Sequence, residues 1–297
     1  MRTENGITAS VATQSIICSE ASDVMNLDRF MFAALALALV AVEARAQAPS
    51  PGAPACGGRS VVSGTVARVV DGRSFVFADG RETRLAGIET SLPVPGDEDE
   101  ARMAAALSAK TALENLVLGR EVGLSVSGTG LDRYGRLVAY VFVGPPSDQT
   151  LVQHELVATG NALVSPAPLA ARCRTLLRDA EREARTAKLG LWGEPYYVVR
   201  DAANPADVLA EQGRFALVEG KVRSVHETGG VIYVNFGQRW SEQFTVTILK
   251  RNEGVFAGAG LTPKTLAGRR IEVRGWIEER SGPAIEVGRP EQIEIVH

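Results

Sequence analysis

The sequence has no surplus of positive charge. Among 297 residues, 32 Lys and Arg stand against 35 Asp and Glu, a formal net charge of −3. A chain-wide basic surface for nucleic acid is thereby excluded, and any such surface has to be local. Long apolar runs are also missing. The longest, Phe30 to Val42, covers about 13 residues, short of the ~20 that a spanning helix needs. Cysteine is scarce at three residues, which leaves room for one disulfide at most. What remains is ordinary for a folded protein, 45% hydrophobic and 23% charged, and the length suits about two domains of roughly 150 residues.

The short apolar run has a design of its own. Arg29 precedes it, and Ala44-Arg45-Ala46 and Ala46-Gln47-Ala48 follow as small-x-small cleavage patterns. Residues 1–48 therefore read as a secretory signal peptide, against which only the flanking acids Asp23 and Asp28 weigh. The residues before Met25 have no part in such a signal, so Met25 is an alternative start. The product is expected to be secreted or periplasmic, with no transmembrane segment after cleavage. Cleavage removes Cys18 and leaves Cys56 and Cys173, an even pair in an oxidising compartment, which points to a disulfide. The alternative is a free buried thiol at Cys173, which falls on an apolar helix face. The Pro/Gly/Ala-rich stretch 49–60 reads as a flexible linker.

From 61 to 143 the pattern is mostly short strands. VVSGTVARVV turns at Asp71-Gly72, SFVF runs to a second turn at Asp79-Gly80, and RETRLAGI returns, making a three-stranded meander. EDEARMAAALSAKTALENLVLG predicts a helix with Met103, Ala106, Leu107, Leu113 and Val117 on one face and Gly119 at its end. Strands REVGLSV and RLVAYVFV come next, then a short helix in QTLVQHELVATG. A longer helix follows, with the stripe Leu169, Cys173, Leu176, Leu177, Ala180, Ala184 and Ala187, and Trp192 closes the unit. Five strands with three helices predict an α+β, barrel-like domain over 61–197. Residues 198–213 read as a linker. Residues 214–297 show three strands, an excursion through Gly258, Gly260 and Pro263, and two more strands. That is the order of a second, all-β, five-stranded OB-like barrel.

The segments VDG, RLAGIET, DRYGRLVAYVF and LGLW, in that order, resemble the staphylococcal nuclease family over roughly 61–192. The resemblance implies an OB-like barrel with three helices that cleaves DNA and RNA with calcium. It carries over position by position. Arg84 and Arg136 stand where two arginines grip the phosphate and stabilise its transition-state charge, a task suited to the planar guanidinium fork. Arg133 and Tyr134 match a pair that contacts the nucleotide. Glu89 and Thr90 occupy two metal-ligand positions, carboxylate and carbonyl, with Glu89 one methylene longer than the aspartate expected. The other carboxylate position holds Arg73, whose positive charge repels a cation. Leu92 stands in place of the glutamate base, with Ser91 in place of the preceding proline. The stacking tyrosines map to about Pro166 and Pro168. Asp97 to Glu100 could supply a carboxylate, or form a solvated helix start. Without metal, Arg73 either joins Arg84 and Arg136 in an anion-binding cluster or pairs with Glu89 as an ordinary ion pair.

In the second half, Tyr233, Phe236, Trp240, Phe244 and Trp276, with Lys221, Arg223, Arg239, Lys250 and Arg274, are the residue types with which OB barrels hold single strands. Phe244, Val246 and Ile248 alternate as a core face and Phe236 goes with Ile232 and Val234, which leaves Tyr233, Trp240 and Trp276 as platforms. From 198 onward, 13 basic and 13 acidic residues cancel. The reading is an exported nuclease-fold protein that binds nucleic acid or an envelope partner, with phosphodiesterase activity impaired or absent and no cofactor. One alternative is an active calcium-dependent endonuclease; the other is an envelope scaffold or protein-interaction module.

Overall fold

The computed structural model describes residues 56–57, 62–92, 99–145, 147–167, 170–194, 197–239 and 242–296, without the side chains of 127–129. The expected signal segment 1–48 and most of the linker 49–60 lie outside the described residues, as do Asp97, Glu98, Pro168, Leu169 and Trp240.

β1 (Val62–Asp71), β2 (Ser74–Phe77) and β3 (Glu82–Leu85) form the antiparallel meander, in register at Val66 with Phe77 and at Ser74 with Arg84. Gly80 takes φ +87°, as the second turn requires. After β4 (Ile88–Glu89) comes α1 (Glu100–Val117), whose first turn is capped by the Asp99 carboxylate accepting from the N–H groups of Ala101 and Arg102. β5 (Glu121–Leu131) pairs with β1, and β6 (Leu137–Val143) pairs with β5 and, in parallel, with β3, which closes a five-stranded barrel. The remaining elements of this half are β7 (Thr150–Leu151), α2 (Val152–Ala158), β8 (Leu163–Val164) and α3 (Ala171–Thr186), with β8 pairing to β4. Phe75, Phe77, Leu85, Leu124, Val141, Leu156 and Leu177 fill the barrel and its helical cover. Cys56 and Cys173, both buried, are joined in a disulfide that ties the start of the barrel to α3.

Two helix faces differ from expectation. In α1 the buried residues are Ala105, Ala106, Ala109, Leu113 and Val117, while Met103 and Leu107 are 55% and 64% exposed. The cause is close approach: a Cβ on Gly72 would meet the Ala109 Cβ at 2.6 Å, so small side chains face the turn. In α3, Cys173, Leu177, Ala180 and Ala184 are buried as expected, Leu176 is half-buried and Ala187 is exposed.

The joining stretch 198–213 carries β9 (Val199–Asp201) and α4 (Pro205–Leu209), and Ala202 and Val208 are buried. β9 adds in parallel to β10 (Phe215–Lys221). Then come β11 (Ser224–Thr228), β12 (Val231–Asn235), β13 (Thr245–Leu249), α5 (Glu253–Gly258), β14 (Arg270–Glu279), β15 (Pro283–Glu286) and β16 (Ile293–Val296). The order β11-β12-β13-β15-β14-β10 has one parallel pair, β13 with β15. β10 continues into β11 through two residues bonded to opposite neighbours: Val222 N–H donates to the Arg269 carbonyl and Arg223 N–H to the Asn235 carbonyl, both at 2.8 Å. Counting β10 and β11 as one bent strand, this is the expected five-stranded ring, to which β9 and β16 are added at β10 and β14. Phe244, Val246 and Ile248 lie in its core, with Phe236 against Phe244 at 5.0 Å between centroids.

Both barrels belong to one compact unit, 49–297. An ionic network fastens them. Arg274, expected beside a basic groove, is instead 2% exposed. Its Nη1 donates to the Val164 carbonyl at 2.9 Å and pairs with Glu181 at 2.9 Å, and its Nη2 pairs with Glu272 at 2.9 Å. From α3, Arg174 reaches Glu291 at 2.7 Å, Arg178 reaches Glu294 at 3.2 Å and Arg185 reaches Glu272 at 2.8 Å. Such buried charge persists only when paired on all sides, and here each barrel supplies the other's counter-charge. Leu163, Leu191, Trp192, Tyr197 and Leu217 add an apolar contact.

Candidate functional site

The first-barrel meander brings together the residues singled out in the sequence. Arg73 sits in the β1–β2 turn, where its N–H donates to the Asp71 carboxylate at 2.9 Å. Arg84 lies on β3 opposite Ser74, and β4 carries Glu89. Glu89 is buried and takes both cations: its Oε1 accepts from Arg84 Nη2 at 2.8 Å, and its Oε2 pairs with Arg73 Nη1. Burial first, then repulsion by Arg84, brings the Arg73 guanidinium down to about 10. Arg84 is also lowered, by burial and then by Arg136. Arg73 is thus the ion-pair partner of Glu89, and it lies near enough to Arg84 and Arg136 for both to lower its pKa.

Arg136 is held differently. The loop 132–136 folds around the Asp132 carboxylate, which accepts the Tyr134 and Arg136 N–H groups at 2.9 and 3.0 Å and the Arg136 Nε at 2.8 Å. The Arg133 and Arg136 guanidinia lie 4.8 and 5.2 Å from the centroid of the Tyr134 ring, which is 66% exposed. The result is a stacked cationic tip beside Arg84, with Glu82 3.7 Å from Arg136.

Calcium does not fit this arrangement. A hard divalent ion needs several oxygen ligands, and the Glu89 carboxylate is already shared between two guanidinia. The resemblance puts Arg73 where a second carboxylate would be expected, and here Arg73 pairs with Glu89. Among the described residues, no three His, Cys, Asp or Glu side chains gather as a metal site. Leu92, which stands in place of the base in the resemblance, is half-buried and lines a cavity of about 150 Å³ with Glu89, Thr90, Ser91, Trp192 and Trp276. Of the acidic run, Asp99 serves as the helix cap and pairs with Arg102 at 2.8 Å.

A larger cleft of about 730 Å³ opens in front of Arg84 and Glu89, with Pro166 on the same wall. Its far wall comes from the second barrel, including Asn252, Trp276 and Arg289. Trp276 was expected as an exposed platform and is 45% exposed; that it faces the arginine site was not foreseen, and Arg289 was missed. The half-buried Tyr233 lies in another cavity of about 290 Å³, with Ser224, His226 and Asn235.

Two comparisons with known proteins bear on this site. The family model described as staphylococcal nuclease homologue matches residues 82–194. Protein ParB from Escherichia coli is 31% identical over 142 residues, which cover 46% of this chain and 75% of the relative.

Proposed function

The chain belongs to the staphylococcal nuclease homologue family, and from that premise we propose that it is an exported binding protein for phosphate-bearing polyanions, nucleic acid first among them, in which phosphodiesterase chemistry is impaired or absent. One observation carries the catalytic part of this reading: the Glu89 carboxylate, at a metal-ligand position of the family, is held by Arg73 and Arg84. A carboxylate held this way, with arginine and leucine at two further catalytic positions, neither collects a divalent ion nor takes a proton from water. The phosphate-gripping half of the machinery is still present in Arg84, Arg136 and the Arg133–Tyr134 tip. Because the chain as a whole is not basic, attraction depends on this local group of arginines. The Cys56–Cys173 disulfide supports export, since such bonds persist in oxidising compartments.

The test has two arms. Plasmid DNA incubated with the protein should show no cleavage stimulated by calcium over a chelator control. Single-stranded DNA should bind with an affinity that falls steeply with salt, as counterion release demands. Efficient calcium-dependent cleavage that Arg84→Ala abolishes would instead identify an active nuclease. Absence of any salt-dependent binding would leave the scaffold alternative.

A further inference from the structure

The cleft in front of Arg84 is a two-barrel feature, and its volume of about 730 Å³ lies within the range typical of small-ligand sites. Its two cations have capacity to spare. Arg84 gives Nη2 to Glu89 at 2.8 Å, and its side chain remains 27% exposed where it lines the cleft. Arg289 is exposed and has no carboxylate partner among the described residues. Trp276 on β14 lines the same cleft and is 45% exposed. Its ring meets Phe215 edge-on, with centroids 6.2 Å apart and planes at 70°, a contact that orients the indole without covering it. The acid in the cleft, Glu89, is already compensated by Arg73 and Arg84.

We propose that this cleft is a nucleotide subsite for single-stranded nucleic acid, built jointly by the two barrels: a base stacks on Trp276 while the adjoining phosphate lies between Arg84 and Arg289. The inference rests on the polyanion-binding reading above and assigns the second barrel a part in that site. Stacking on an indole accepts any base, and a guanidinium fork accepts any backbone phosphate, so the subsite should show little sequence preference.

The experiment uses the full disulfide-bonded chain and a fluorescein-labelled oligothymidylate, titrated across a salt series. Trp276→Ala should weaken binding roughly ten-fold, within the span found for base–aromatic stacking, and Trp276→Phe should restore most of it. Arg289→Gln, at an exposed side chain whose loss does not threaten the fold, should lower the slope of log affinity against log salt by about 0.7, the loss of one phosphate contact. Tyr233→Ala should change nothing. If the wild type binds but both Trp276→Ala and Arg289→Gln leave affinity and slope intact, the shared subsite is wrong and the binding reading survives. Loss on Tyr233→Ala alone overturns it in the same way, moving the site to the second barrel's own face. A wild type that does not bind at all removes both proposals.

Discussion

In the first barrel, the parallel pair that closes the ring, β3 with β6, carries Arg84 and lies beside an ion cluster that buries Arg73 and Glu89. In the second, the equivalent parallel pair, β13 with β15, is lined by Val246, Ile248 and Ile285, all at 0% exposure. The insertion before the fourth strand also differs: α1 has 18 residues, and α5 has six. The strand order is the same in both. The first pair also buries Leu85 and Ala139, with Arg84 alternating onto the other face, so the chemistry belongs to side chains grafted outside a common apolar ring.

The largest expected effect tests the proposal that Arg73 and Leu92 withhold calcium and a base from the first barrel. Arg73→Asp with Leu92→Glu should create calcium binding by calorimetry and cleavage visible on a gel, since a general base is typically worth about 10² to 10⁴ in rate. Leu92→Glu alone should do little, because no metal would position the water. A double variant that gives no calcium heat would show that this account of the cluster is wrong.

Next in size is the covalent tie, which only the first barrel has. Cys56→Ser with Cys173→Ser opens a loop spanning a sequence separation of 117 and should cost about 4–5 kcal/mol in the chain-entropy model, read as a shift of the guanidinium midpoint; an unmoved midpoint would deny the bond any role. Arg274→Ala should cost about 3–5 kcal/mol, because it takes the nearest cation from the buried Glu181 and one of two close cations from Glu272. Replacing all three by apolar residues of similar volume should recover most of that loss. The smallest effect sharpens the view of α1: Met103→Gln and Leu107→Lys, at exposed positions, should each change stability by no more than about 0.5 kcal/mol. A drop in melting temperature matching a core substitution would mean the helix packs through its large side chains after all.

These contrasts follow what the sequence made legible. Strand alternation, the turns at Asp71-Gly72 and Asp79-Gly80 and the three-plus-two order of the second half depend on local pattern, and the strands formed accordingly. The disulfide followed from an even count and a compartment argument. Three features were not legible, each for the same reason. The alanine face of α1 depends on Gly72 approaching Ala109. The burial of Arg274 depends on Glu181, 93 positions away. The cleft that joins Arg84 to Trp276 and Arg289 exists only once two barrels are docked. Pattern within a segment reports on its neighbours in sequence, and these depend on neighbours in space.

The junction around Arg274 constrains how the protein can change over generations. Glu181 belongs to one barrel and Glu272 and Arg274 to the other, so a mutation that removes a single member unbalances a buried charge network. Drift at these positions has to proceed in concert, and relatives with the same two-barrel arrangement should vary at 181, 272 and 274 as a correlated set. A barrel exchanged from a distant relative would arrive without its counter-charges. The halves share a topology, yet they are not interchangeable parts.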